Sequence, residues 1–177
     1  MRTETLITGR LILRRFRAED AASLHENCSS DAAVVRWLER SACTDPEITQ
    51  SLVNGWIEQY ESEDFFLWAV EYEGAVIGTV NLHDVCRVER CCEIGFSIGS
   101  KWWNKGIMTE AAGAVVRRAL RELGFERITG RCAAENKASA RVMEKIGMKK
   151  ERGAQPDSGE WTNQIWYSIC RSDEERI

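Results

Sequence analysis

The sequence predicts an α+β domain built on a mixed, mostly antiparallel sheet of about seven strands. Three observations carry this. Phe65–Tyr72 and Ala75–Leu82 are strand-like runs flanking Glu73-Gly74, a hairpin turn, and Cys91–Gly99 follows as a further antiparallel neighbour. Cys91 to Ala133 reads strand, glycine-containing turn, helix, strand, which is a β-α-β crossover. Met148–Arg152 and Gln164–Cys170 form a closing hairpin. The order is β-α-α-ββ-β-α-β-α-ββ, in one domain spanning residues 1–177, with no internal repeat or interdomain linker.

Taken in order, Gly9 to Phe16 alternates as a first strand, and Ala18 to Glu26 suits a helix with acidic residues in its first turn. His25 lies on that helix with no carboxylate nearby in sequence to orient it. Ser30 to Leu38 is a short second helical stretch. Thr44-Asp45-Pro46-Glu47 is a helix start, a capping residue followed by Pro at the first helical position. That helix runs to about Glu61, with Ile48, Leu52, Trp56 and Tyr60 as its apolar stripe. After the hairpin, Asp84 to Arg90 is a polar connection into the Cys91 strand. Arg127 to Ala133 is the fifth strand, and Asn136 caps a helix with Ala140, Met143 and Ile146 inward and a stop at Gly147. Gly153 to Gly159 is the loop of the closing hairpin, and the last seven residues are charged and frayed.

The organising stretch is Cys91 to Leu123. Its helix places Met108, Ala111, Ala112, Val115, Ala119 and Leu123 on one face. Between strand and helix lies Ser100-Lys101-Trp102-Trp103-Asn104-Lys105-Gly106. A strand, a tight turn and a helix N-terminus aim several backbone N–H groups at one spot, where a phosphate is the natural guest. An ordinary strand-to-helix connection has the same local pattern. The dinucleotide G-x-G-x-x-G and the nucleotide G-x-x-x-x-G-K-S/T are both absent, so a phosphate here belongs to another cofactor.

Bulk properties exclude several classes. With 177 residues, 44% hydrophobic and 29% charged, the chain has the composition of a soluble globular protein. A net charge of −4 argues against a general nucleic-acid binder. No apolar run approaches the roughly 20 residues that cross a membrane. The first ten residues lack the apolar core of a signal peptide. Seven cysteines (28, 43, 86, 91, 92, 132 and 170) include no CxxC pair, and adjacent Cys91 and Cys92 point to opposite faces of a strand. Reduced thiols in a cytoplasmic protein, with no metal site and no disulfide framework, are therefore expected.

At these residues the chain resembles the GNAT acetyltransferase superfamily, in its RimJ/RimL-like branch. The similarity runs from Arg10-Leu11-Ile12-Leu13-Arg14 and Glu19-Asp20-Ala21, through Glu93-Ile94-Gly95-Phe96-Ser97-Ile98, to the loop Trp102-Trp103-Asn104-Lys105-Gly106-Ile107-Met108-Thr109-Glu110-Ala111. It continues in Asn136-Lys137-Ala138-Ser139-Ala140-Arg141-Val142-Met143-Glu144-Lys145-Ile146-Gly147-Met148 and in the last strand, Trp166-Tyr167-Ser168-Ile169. The resemblance implies a sheet splayed at its centre with helices on both faces, acetyl-CoA as donor, and transfer to an amine on a protein N-terminus or a small molecule. It implies that amides around Asn104, Lys105, Gly106, Met108 and Thr109 cradle the pyrophosphate, with Lys105 adding charge. Free backbone groups at Phe96 and Ile98 would pair with the pantetheine arm like an added strand, and Asn136 would hold that arm from the other side. The chain departs from the superfamily pattern at Trp103, where Gln or Arg is usual, and at Met108, where Gly or Ala is usual.

For direct transfer in a ternary complex a base must free the amine and an acid must protonate the departing thiolate. Many relatives use a Tyr as acid where Met143 stands; Ser139, three residues after Asn136, is the substitute, or else a first-turn Ser bonded to its helix. Glu93 is the candidate base, or else a structural carboxylate. Tyr167, His83 and Asp84 are candidates for the acceptor cleft, Glu135 is a cap neighbour, and Trp37, Trp56 and Trp161 are candidates for shaping the pocket. An acyl-CoA-binding or sensing module without turnover is the alternative reading, and a cysteine nucleophile is a weaker one. A homodimer through the exposed edge of a split sheet is compatible with the pattern but not required by it.

Overall fold

The computed structural model describes residues 3–38, 45–152 and 163–174. The expected loop from Gly153 to Gly159, Cys43, Thr44, Trp161 and the last three residues lie outside the described residues. Eight strands form one sheet: β1 (Leu6–Ile7), β2 (Leu11–Arg14), β3 (Phe66–Tyr72), β4 (Ala75–Cys86), β5 (Cys91–Ile98), β6 (Arg127–Ala133), β7 (Lys149–Lys150) and β8 (Gln164–Cys170). The spatial order is β1-β2-β3-β4-β5-β6-β8-β7. Every neighbour is antiparallel except β5 and β6, which are parallel. The helices are α1 (Asp20–Leu24), α2 (Ala32–Val35), α3 (Pro46–Gln59), α4 (Ile107–Arg121), α5 (Lys137–Lys145) and α6 (Arg171–Glu174).

The α+β class and the strand sequence therefore hold, with one strand more than the seven expected. The extra strand is Leu6–Ile7, a two-residue edge too short for a periodicity to register. The first three residues of the Asp84–Arg90 connection are also strand, because β4 continues through an irregularity after His83 as far as Cys86. Helix α3 starts at Pro46, with the Asp45 carboxylate accepting from the Glu47 N–H at 2.9 Å. Its buried face, however, is Thr49, Val53 and Tyr60, while Ile48 is exposed. The face is turned by one residue because Thr49 meets His25 (Nδ1 to Oγ1, 3.0 Å) and the Tyr60 hydroxyl ties Phe16 and Leu67 together. A single π-helical turn, His25–Ser29, joins α1 to the following residues.

The sheet separates two cores. Ile94, Val80, Leu82, Ile128 and Ile169 meet α4 and α5 on one face, whereas Leu67, Ala69 and Val76 meet α1 and α3 on the other. A buried triad anchors the second layer: Arg14 donates to both Asp20 carboxylate oxygens (2.7 and 2.8 Å) and to Glu71 (2.6 Å). These two acids, Asp20 foremost, raise the Arg14 pKa further against the cost of burial, so the guanidinium keeps its charge. No described helix is long and apolar enough to cross a membrane.

Candidate active site

The parallel pairing of β5 and β6 covers only Cys91 with Arg127, Cys92 with Ile128 and Glu93 with Thr129. Beyond Glu93, β5 stays with β4 as far as Ile98, while β6 stays with β8 as far as Ala133. The sheet is forked at Glu93. The phase of the β4–β5 ladder decides which groups face the fork. Gly99 N–H donates to Ile77 O at 3.0 Å, so by alternation Ser97, Gly95 and Glu93 spend their backbone groups on β4. Phe96 and Ile98 turn theirs the other way, into the gap. The Thr129 hydroxyl, which donates to Cys92 O at 3.3 Å, agrees with this phase. One of the exposed carbonyls, that of Ile98, accepts from the Trp103 indole N–H at 2.9 Å. Trp103 thereby braces the turn that follows β5.

That turn has left-handed backbone at Asn104 (φ 60°) and Gly106 (φ 72°), and Gly106 opens α4 with no side-chain cap. The first N–H groups of α4 thus have no intrahelical partner and no side-chain cap, at the positive end of a 15-residue helix. Met108 is 6% exposed and packs into the core, leaving its amide but not its side chain at the cradle. Asn104, Lys105 and Gly106 are exposed and Thr109 half-buried. Sequence reasoning missed the brace beneath. Glu110 accepts from the Thr8 hydroxyl (2.6 Å), Arg10 N–H (2.9 Å) and Arg10 Nε (2.7 Å), while Arg10 Nη1 donates to Lys105 O at 3.0 Å. Burial works to raise the Glu110 pKa, but the bonds from Thr8 and Arg10 outweigh it and hold the carboxyl below its ordinary range. The sign of this brace in the sequence is an acid in the first turn of a helix matched to an Arg in a distant strand turn, a pairing that only the fold reveals.

Across the fork, Asn136 caps α5, its Oδ1 accepting from the Ser139 N–H at 3.1 Å. This fixes the amide so that Asn136 Nδ2 remains a donor. Ser139 is half-buried near Cys132 of β6; burial pushes the Cys132 thiol up, and the neighbouring Ser139 hydroxyl draws it part of the way back. The Ser139 N–H is thus satisfied by the Asn136 side chain, at the start of α5 and facing the fork's far strand.

Glu93 lies at the fork vertex on the α1–α3 face, 6% exposed. Its Oε1 accepts from Arg131 Nε at 3.0 Å and lies 3.9 Å from His83 Nε2, whose Nδ1 is 3.2 Å from Asp84 Oδ2. Burial raises the Glu93 pKa, and His83 and Arg131 pull it back without cancelling the rise. His83, a candidate for the acceptor cleft, is thus a strand residue opposite Glu93. A cleft of about 630 Å³ opens here, lined by Trp56, Phe65, Asn81, His83, Asp84 and Phe96 among others. Gly95 keeps it open, since a Cβ there would meet Asn81 Oδ1 at 2.6 Å and His83 Nε2 at 3.4 Å. Tyr167 is not in the cleft: it lies 2% exposed on the opposite face, bonded to Glu144 at 3.1 Å. Trp37 stacks under Arg36 in a turn after α2, and Glu135 is exposed beside the α5 cap. Residues 10–149 match the acetyltransferase (GNAT) domain family.

The chain belongs to the GNAT acetyltransferase family.

It is 27% identical over 178 residues to the [ribosomal protein uS5]-alanine N-acetyltransferase of Escherichia coli (strain K12), covering 95% of this chain and 91% of that one. The uncharacterized N-acetyltransferase YoaA of Bacillus subtilis (strain 168) is 30% identical over 148 residues, covering 82% and 83% of the two chains. The crystal structure of a GNAT-family acetyltransferase from Bacillus anthracis has a TM-score of 0.80 at 29% identity, covering 96% of this chain and 99% of that one. Acetyl-CoA-dependent acetyl transfer is general to this family, and the chain is an N-acetyltransferase of it. The fork and the uncapped α4 terminus fit such a donor: the first offers strand-like pairing to an amide-bearing arm, the second amides to a pyrophosphate.

Proposed function

We propose that this acetyltransferase moves the acetyl group of acetyl-CoA directly to a primary amine held in the cleft beside Glu93, the two substrates bound together. The observation that carries the reading is the position of Glu93: buried, its pKa raised, at the vertex where the fork meets the cleft. The donor supplies an activated acetyl thioester. Phe96 and Ile98 bind its pantetheine arm through backbone groups, with Asn136 Nδ2 on the far side. The amides of Asn104, Lys105, Gly106, Met108 and Thr109, with the Lys105 ammonium, hold the pyrophosphate. Glu93 accepts the proton of the acceptor's ammonium, through water where the amine is not in direct reach, and the Ser139 hydroxyl donates a proton to the departing thiolate.

The cleft combines the Asp84 carboxylate with the rings of Trp56 and Phe65, and its His83 wall backs onto Glu93, so it suits an amine carried on a partly apolar group, either a protein alanine like that named for the uS5 enzyme or a small-molecule amine. An acetyl-CoA consumption screen against N-terminal peptides, polyamines, amino acids and aminoglycosides tests the reading. Turnover with one class, lost in Glu93→Gln while CoA binding persists, supports it. CoA binding without turnover on any amine would make the protein an acyl-CoA-binding module, in keeping with Met143, 1% exposed and without an acidic proton, at the position where the resemblance implies a Tyr in many of the superfamily.

A further inference from the structure

We propose that Cys86, Glu89 and Cys91, at the tip of the β4–β5 hairpin, form a binding site for a thiophilic divalent cation of the zinc class. The sequence argued against a metal because there is no CxxC pair and because Cys91 and Cys92 face opposite ways. The fold makes a different pair. Cys86 and Cys91 are register partners on adjacent antiparallel strands, and the four-residue turn between them folds Glu89 back over both. One Sγ from each cysteine and one Glu89 oxygen lie within 4.8 Å of one another. Zinc with thiolates at about 2.3 Å in a tetrahedral shell needs sulfurs about 3.8 Å apart, so small side-chain rotations close the set. Two thiolates and a carboxylate give three protein ligands and leave the fourth position to solvent.

The surroundings hold the ligands without competing for them. Arg87 donates to Asp64 Oδ1 at 2.6 Å, and Arg90 pairs with Glu126 at 2.9 Å, so the two cations of the turn are directed at other acids. Arg90 adopts left-handed backbone (φ 54°), and its carbonyl accepts from Glu126 N–H at 2.7 Å, which pins the turn to the start of β6. Glu89 contacts the Cys91 thiol at 3.8 Å, within the cluster itself. All three ligands are half-buried or exposed, so a solvated ion reaches them from outside. Binding replaces two S–H bonds by two S–Zn bonds and releases the protons to solvent. The ion would clamp the end of the hairpin whose strands carry His83 and Glu93, a structural role that stands apart from acetyl transfer.

The test is a Co²⁺ titration of the reduced, metal-free full-length chain, followed by displacement with Zn²⁺. The site predicts a thiolate-to-cobalt charge-transfer band saturating at one equivalent and bleached by zinc, with release of about two protons per ion in weakly buffered solution. Cys86→Ser and Cys91→Ser should each lose the band, Glu89→Gln should weaken binding, and Cys170→Ser should leave it unchanged. The absence of a band in the reduced wild-type protein overturns the site, as does an undiminished band in the Cys86→Ser/Cys91→Ser double variant.

Discussion

At Glu93 two opposing influences meet, burial raising its pKa and His83 with Arg131 lowering it, and burial wins. The folded protein therefore holds a proton on Glu93 more tightly than the unfolded chain does, so this group's contribution to stability is present at low pH and is lost as pH rises through the raised folded value. Activity runs the opposite way. If Glu93 is the base, kcat/KM climbs as pH rises through that same value, and Glu93→Gln removes this limb while lowering kcat/KM by about 10²- to 10⁴-fold. A pH–rate profile of the two proteins checks both statements. Gly95→Ala presses on Asn81 and His83 and is expected to raise KM for the acceptor with KM for acetyl-CoA unchanged, read from initial rates. The family resemblance put Glu93 and Ser139 near a thioester, where direct transfer needs a base and an acid. It gave no view of Arg131, whose partnership with Glu93 depends on strand register, and it offered Tyr167 as a candidate for the cleft, whereas the residue's strand parity sends it to the other face.

Among the elements, the turn into α4 was legible from its glycine and its position between strand and helix, whereas its brace was not. Arg10 and Glu110 are a hundred residues apart in the chain, and only the packing of the β1–β2 turn against α4 brings them together. Glu110→Gln replaces a charge-assisted set by a neutral one, so it should weaken acetyl-CoA binding by about tenfold while leaving kcat nearly unchanged. Because the Glu110 pKa is depressed in the fold, its contribution to stability is present above its unfolded pKa and is lost as pH falls through the lower folded one, and an acid-unfolding curve of Glu110→Gln against wild type should show that difference. Helix α3 illustrates a limit of periodicity: the apolar residues Ile48 and Leu52 suggested one face, but a buried threonine bonded to His25 set another. Amphipathic counting ranks residues by hydrophobicity, and here a hydrogen bond decided the rotation.

For the molecule as a whole, the α+β class and the central crossover followed from the run of hairpins and the strand–turn–helix unit, since a parallel neighbour requires a helical crossover. The fork did not follow from periodicity, because β5 and β6 each carry strand-like residues well past the point where they part; only the family resemblance anticipated it. The two layers depend on the Arg14–Asp20–Glu71 triad, and Asp20→Ala, which leaves the buried guanidinium with Glu71 as its one acid of the triad, should destabilise the protein by about 3 kcal/mol in a denaturant titration. The central claim is that the donor lies in the fork as an additional strand, with its phosphates on the α4 terminus. Residue-resolved amide hydrogen exchange with and without acetyl-CoA tests it most directly. The account predicts slowed exchange at Phe96, Ile98, Met108 and Thr109, with Ser97 unchanged because its amide is already spent on β4. Acetyl-CoA binding that leaves Phe96 and Ile98 unprotected would contradict it.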